Sequence, residues 1–146
     1  MTHGDDVLRI RADLDGLASV REFVRNHAHR NGADQEAVND MIQAVDESVT
    51  NAIVHGYRGS EGFVEVALEV RGGSLVAQVR DAAPPFDPTA VPSPDMSLPI
   101  DKRPFHGLGV HLMRELTDSM SYKHTGEGNE LTLTKRLVTG RPIERC

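Results

Sequence analysis

Ala44-Val45-Asp46-Glu47-Ser48-Val49-Thr50-Asn51-Ala52-Ile53-Val54-His55 carries two stripes at helical spacing. Val38, Met41, Ile42, Val45, Val49, Ala52 and Ile53 recur at i, i+3, i+4 and i+7, which predicts the apolar face of an amphipathic helix. Glu47, Asn51 and His55 recur at intervals of four. At 3.6 residues per turn each such step rotates a side chain by only about 40°, so the three project in a row. The pattern places this row on the exposed edge of a helix that is anchored from behind. A carboxylate, a carboxamide and an imidazole so arranged can hold a metal ion, a phosphate or a water. Polar residues on the outside of a helix are more often plain solvated surface, so a functional reading needs further parts.

The flanking sequence supplies a fold for this helix. Residues 7 to 14 alternate charged and apolar side chains and read as a strand. Leu17, Val20, Phe23, Val24 and Ala28 mark a helix, stopped by Asn31-Gly32. The central helix begins near Asp34 or Gln35 and ends at Gly56. Residues 62–71 and 74–81 form a hairpin around Gly72-Gly73, with Val64, Val66, Leu68 and Val70 on one face. Residues 82–106 lack periodicity and hold all but one of the 8 prolines, the signature of a lid or binding loop. A helix from Gly107 to about Thr117 follows. Ser119–His124 and Glu130–Val138 then close a hairpin around Gly126-Glu127-Gly128-Asn129. Hairpins outnumber βαβ crossovers, so the expected fold is a two-layer α/β sandwich whose mostly antiparallel, mixed sheet carries helices on one face. One domain over residues 1–138 and a frayed tail over 139–146 are expected.

Composition narrows the function classes. With 146 residues the chain is long enough for one real core. A net charge of −6 argues against direct nucleic-acid binding, which needs a basic surface. No stretch reaches the roughly 18 to 20 apolar residues of a membrane span, and the N-terminus lacks a signal pattern, so a cytoplasmic protein without membrane contact is expected. The sole cysteine, Cys146, excludes a disulfide framework and a thiolate cluster. The histidines are scattered, without the spacing of a zinc site.

Two further elements bear on chemistry. Asp81 ends a strand, where a carboxylate accepts hydrogen bonds and offers none, which suits an amino group such as the exocyclic amine of adenine; alone, a strand-end aspartate is more often a cap or turn residue. Gly107-Leu108-Gly109 lets backbone N–H groups approach an anion at the positive end of a helix. A loop precedes it and Leu112 occupies the third glycine position, so it is not the dinucleotide-binding fingerprint. The Gly-Lys-Ser/Thr of a Walker loop is absent.

Together the helix row, the strand-end aspartate and the lid with its Gly-x-Gly resemble the Bergerat-fold nucleotide site of gyrase, Hsp90, histidine kinases and MutL. The likeness is greatest to the bacterial anti-sigma factor serine kinases, and it spans roughly residues 40 to 135. It implies ATP and Mg²⁺ as cofactors. Glu47-x-x-x-Asn51 would be the N box, with Asn51 on Mg²⁺ and Glu47 as general base or as the group that orients the nucleophile, and His55-Gly56-Tyr57 continues that family's pattern. Asp81, with Ala83 and Phe86 in the following segment, would form the adenine box. Gly107, Leu108, Gly109 and Val110 would meet the phosphates, with Arg103 in the lid on the γ-phosphate, and Asn129 and Thr132 would assist Asp81.

The chain departs from the family pattern in two places: Ala83 stands where glycine is expected, and Gly128-Asn129-Glu130 stands where Gly-Thr is usual. The resemblance further implies a homodimer that phosphorylates a STAS-type anti-anti-sigma partner and sequesters a sigma factor. The alternative is a nucleotide-gated partner-binding module without kinase activity. A gyrase- or Hsp90-like ATPase lacks its following domain here, and a sensor histidine kinase lacks its phosphoacceptor helix.

Overall fold

The computed structural model describes residues 7–90, 97, 99 and 105–138. Along the chain they form β1 (Val7–Arg11), a 3-10 turn (Leu14–Gly16), α1 (Leu17–Arg30) and α2 (Gln35–Asn51). A π-helical turn (Ala52–Tyr57), β2 (Phe63–Arg71), β3 (Ser74–Asp81) and a second 3-10 turn (Pro88–Ala90) follow, then α3 (Phe105–Leu116), β4 (Ser119–Thr125) and β5 (Gly128–Arg136). Strand order is β1-β2-β3-β5-β4. Every pairing among these strands is antiparallel, so the mixed component expected from the sequence is not seen. β5 inserts between β3 and β4, and α3 therefore carries the chain from the end of β3 across to the edge strand. The expected tail over 139–146 lies outside the described residues.

The core lies between the sheet and the helices. Val64, Val66 and Leu68 of β2, Leu75, Ala77 and Val79 of β3, and Leu131 and Leu133 of β5 face Val38, Met41, Val45 and Val49 of α2 and Val110 and Met113 of α3. Each of the larger side chains contributes on the order of 1.5–3 kcal/mol by leaving water. α2 is the middle helix, packed against both α1 and α3. The face of the sheet away from the helices carries a row of alternating charge in register, Arg9, Glu65, Arg80, Glu130 and Lys123. Arg9–Glu65, Arg80–Glu130 and Lys123–Glu130 approach to 3.9, 3.7 and 3.9 Å.

The boundaries shift for local reasons. β1 stops at Arg11, because Asp13 accepts from the Asp15 amide and starts a 3-10 turn. The central helix does not stay α-helical to Gly56. From Ala52 it widens into a π turn, with the Arg58 amide reaching back to the Ile53 carbonyl at 3.1 Å, and ends where Arg58 turns left-handed at φ 52°. The wider turn changes the angular step from Asn51 to His55 from that of an α-helix. α3 starts at Phe105, two residues before the expected Gly107.

Asp34 caps α2 through the Ala37 amide and also accepts from the Val138 amide at 2.9 Å, tying the helix start to the end of the chain's last strand. Burial opposes its ionisation, but those two amides and the nearby Lys135 ammonium outweigh it and hold the carboxyl below its ordinary value. A carboxyl with a lowered folded pKa contributes stability above its unfolded pKa and loses it as pH falls through the folded one. Asp34→Asn should therefore lower the melting temperature at pH 7 and flatten its decline below about pH 4. Melts at pH 7, 5 and 3 measure both; parallel curves for the two proteins would contradict the assignment.

Candidate functional site

The end of β3 is fixed before it reaches the cleft. Tyr57 closes the π turn, is only 7% exposed, and its hydroxyl donates to the Phe63 carbonyl at 2.8 Å while accepting from the Ala82 amide at 2.8 Å. One side chain thus ties the turn to the start of β2 and to the residue after Asp81. Gly62 makes room for it, since a Cβ there would sit 2.3 Å from the ring.

Asp81 shares the helix-facing side of β3 with Val79 and pairs with Asn129 of β5. Its Oδ1 accepts from the Ala83 amide at 2.9 Å and from the Asn129 Nδ2 at 2.8 Å. Asn129, 8% exposed, also donates to the Ala83 and Pro84 carbonyls at 3.0 and 3.2 Å, while its Oδ1 accepts from the Tyr122 hydroxyl and the Phe86 amide. Gly128 permits this approach: at φ +133° its missing Cβ would lie 2.1 Å from the Asp81 carbonyl oxygen. Ala83, 4% exposed, packs on Gly56, where an added Cβ would lie 3.0 Å from the Ala83 methyl. The residue that departs from the resembled pattern therefore fits against a residue with no side chain.

At the other end of the cleft, α3 crosses close to α2. A Cβ on Gly109 would fall 2.8 Å from Glu47 Oε1 and within 3.8 Å of both amide atoms of Asn51. Asn51 is buried at 9% exposure and Glu47 is half-buried, so the row expected on an exposed edge is in fact roofed by α3. The Asn51 Nδ2 is buried with no hydrogen-bond partner among the described residues. An unsatisfied buried amide of this kind is costly unless a ligand meets it. Burial, and to a lesser degree Asp46, push the Glu47 carboxyl above its ordinary value.

One narrow cleft joins the two ends. Ser48, Asn51, Ala52 and Gly56 line one wall, Asp81, Ala83 and Phe86 another, and Tyr122, Asn129 and Leu131 the floor, with a cavity volume of about 40 Å³. Arg114 secures the segment beyond it through the carbonyls of Pro88 and Thr89.

The expected site residues divide accordingly. Asn51, Asp81, Ala83, Phe86 and Asn129 line the cleft, and Glu47 and Gly109 stand at its end. Thr132 does not join them: strand alternation puts it on the opposite face of the sheet from Asn129 and Leu131, opposite Gln78 and Ser121. His55 is not among the lining residues. The Val110 side chain is fully buried in the core, leaving only its backbone for a ligand. Gly107 and Leu108 lie in the first turn of α3 instead of opening it. Arg103 lies outside the described residues. Tyr57 and Tyr122 escaped the sequence reading as site residues; a tyrosine pattern at the helix end and in an edge strand has no chemistry of its own until the strand pairing is known.

The profile of the histidine kinase-like ATPase domain family matches residues 10–135 of the chain. Proteins named serine-protein kinase RsbW from Bacillus cereus, Bacillus anthracis and Bacillus thuringiensis are each 28% identical over 132 residues, which is 88% of this chain and 82% of theirs. Among solved structures, the RsbU and RsbW domains of Rv1364c from Mycobacterium tuberculosis superpose with a TM-score of 0.59 at 25% identity. That match covers 90% of this chain and 32% of the other, so the chain spans about a third of its length.

Two substitutions test the framework. Gly128→Ala should destabilise by at least about 1–3 kcal/mol, because an L residue is strained at that φ and its methyl displaces the end of β3. Tyr57→Phe should cost about 1–3 kcal/mol by leaving the Ala82 amide without its acceptor. Denaturant titration measures both, and an unchanged midpoint in either variant would refute its assignment.

Proposed function

The chain belongs to the histidine kinase-like ATPase domain family, and we propose that within it the protein is an ATP-dependent protein serine kinase and anti-sigma factor. The observation that carries this reading is the convergence of two unlike ends on one cleft. Glu47, Asn51 and Gly109 crowd one end, and a braced Asp81 stands at the other. In this reading the base amine meets Asp81 and the phosphates lie toward Asn51 and the start of α3.

Asn51 fits a Mg²⁺ site, because its buried amide lacks a partner and a half-turn about its terminal bond presents either the oxygen or the nitrogen to the cleft. A Mg²⁺ bound there supplies charge neutralisation at the phosphates. The backbone amides of α3's first turn, free of intrahelical partners, add donors for the same anions. Glu47 then takes the proton from the attacking serine hydroxyl as that oxygen bonds to the γ-phosphorus, while the bond from phosphorus to the β–γ bridging oxygen breaks and its electron pair leaves with ADP. Its upward-shifted carboxyl is a better proton acceptor than an ordinary glutamate once ionised. The phosphoacceptor is a serine on a STAS-type anti-anti-sigma protein, with a sigma factor as the second partner and a homodimer as the working form; the relatives named serine-protein kinases support the serine acceptor. Among the described residues no helix is long and apolar enough to cross a membrane, which accords with a cytoplasmic site of action. Ala83, the departure from the family pattern at the adenine end, is compatible with this reading because its methyl is accommodated by Gly56.

Incubation with Mg²⁺, γ-labelled ATP and candidate partners should transfer label to a partner serine. Asn51→Ala and Glu47→Gln should each reduce transfer by at least about 100-fold. Tight nucleotide binding without transfer to any partner would instead identify a docking module, and no nucleotide affinity would end both readings. Transfer should also rise with pH over a range displaced upward from that of an ordinary glutamate, since Glu47 acts deprotonated. The sign for stability is opposite: a folded pKa above the unfolded value means stability falls as pH rises through that window. Glu47→Gln should therefore melt no lower than the parent at pH 8, a loss of function without loss of fold that calorimetry can check.

A further inference from the structure

Asn129 has no hydrogen-bonding capacity left over for a ligand. Its two N–H hydrogens are shared among Asp81 Oδ1 and the carbonyls of Ala83 and Pro84, and its oxygen accepts from the Tyr122 hydroxyl and the Phe86 amide. A carboxamide can sit either way round, and here the orientation decides what Asp81 meets. With the oxygen toward Tyr122, the amine faces the Asp81 carboxylate; reversed, two acceptors would oppose each other. The Tyr122 hydroxyl is a dependable donor, because burial, with Asp87 and Asp81 nearby, raises its pKa above the ordinary phenol value. Both hydrogen bonds to Asp81 fall on Oδ1, which leaves Oδ2 without a partner among the described residues.

We propose that Tyr122 is a positioning residue for base recognition, acting through Asn129 to orient Asp81 and to pin residues 83–86 across the cleft. Asn129 is then an internal brace that assists Asp81 and makes no ligand contact of its own. The relay joins three strands, running from edge strand β4 through β5 to the end of β3. It reads a purine by its exocyclic amine, which the unpartnered Asp81 oxygen accepts, and it rejects a purine with a carbonyl at that position by acceptor–acceptor repulsion. This inference rests on the cleft being the nucleotide site.

The test compares calorimetric affinities for ATP and for inosine triphosphate, which carries an oxygen in place of the amine, in the parent, Tyr122→Phe and Asn129→Ala. The parent should prefer ATP by at least about 10-fold. Tyr122→Phe should shrink that preference about fivefold, the weight of one hydrogen bond. Asn129→Ala should remove the preference; if it does not fold, Tyr122→Phe decides alone. Equal weakening of both nucleotides in Tyr122→Phe would mean a packing role and would overturn the proposal, as would an unaltered preference. A parent that binds both nucleotides equally would overturn it at Asp81. A parent that binds neither would overturn the nucleotide-site reading itself and the relay with it.

Discussion

The closeness of α3 to α2 at Gly109 is the constraint on which the cleft depends. Because that residue has no side chain, the helix backbone comes within van der Waals reach of the Glu47 carboxylate and the Asn51 amide. Its approach converts a polar stripe that would otherwise be wet into a half-buried acid and a buried amide. That change of medium raises the Glu47 pKa and leaves an amide atom unsatisfied, and both are chemical properties that an exposed helix face lacks.

Much of this was legible in the sequence, and the reason is local. The period of α2, the Gly72-Gly73 hairpin and the alternation of β2 each depend on neighbours within one or two turns of chain. The Glu47–Asn51 pair and Asp81 were legible as chemistry because a carboxylate or amide in a regular element has few local partners. The burial of Asn51 was not legible, because it is imposed by α3, which is far along the chain. The π turn at the end of α2 was not legible either, because the Tyr57 contacts with β2 and Ala82 that accompany it come from distant parts of the chain. Thr132 was misplaced because a one-residue choice of strand register turns every side chain to the other face.

The two departures from the family pattern meet in space. The Asn129 carboxamide donates to the carbonyl of Ala83, and the Ala83 methyl rests where Gly56 leaves room. Read one position at a time, each looks like a weakening of the nucleotide site. Read together, an amide able to hold three oxygens restrains a segment whose own backbone freedom is lower than that of glycine. Substitutions here should be weighed in pairs, since residues in direct contact do not act additively.

The bare side of the sheet carries the row Arg9, Glu65, Arg80, Glu130, Lys123, one residue per strand with signs alternating. Singly such exposed pairs stabilise little, about 0.2–1 kcal/mol each. Their value is as alignment marks. A two-residue slip keeps every apolar side chain on its proper side, so burial alone cannot penalise it. It would, however, set Glu65 against Gln78 or Ala82 and Arg80 against Thr132 or Gly128, dissolving the row at its centre. Together with the tight Gly72-Gly73 turn, the row favours the alignment that delivers Asp81 beside Asn129, and high salt weakens its share.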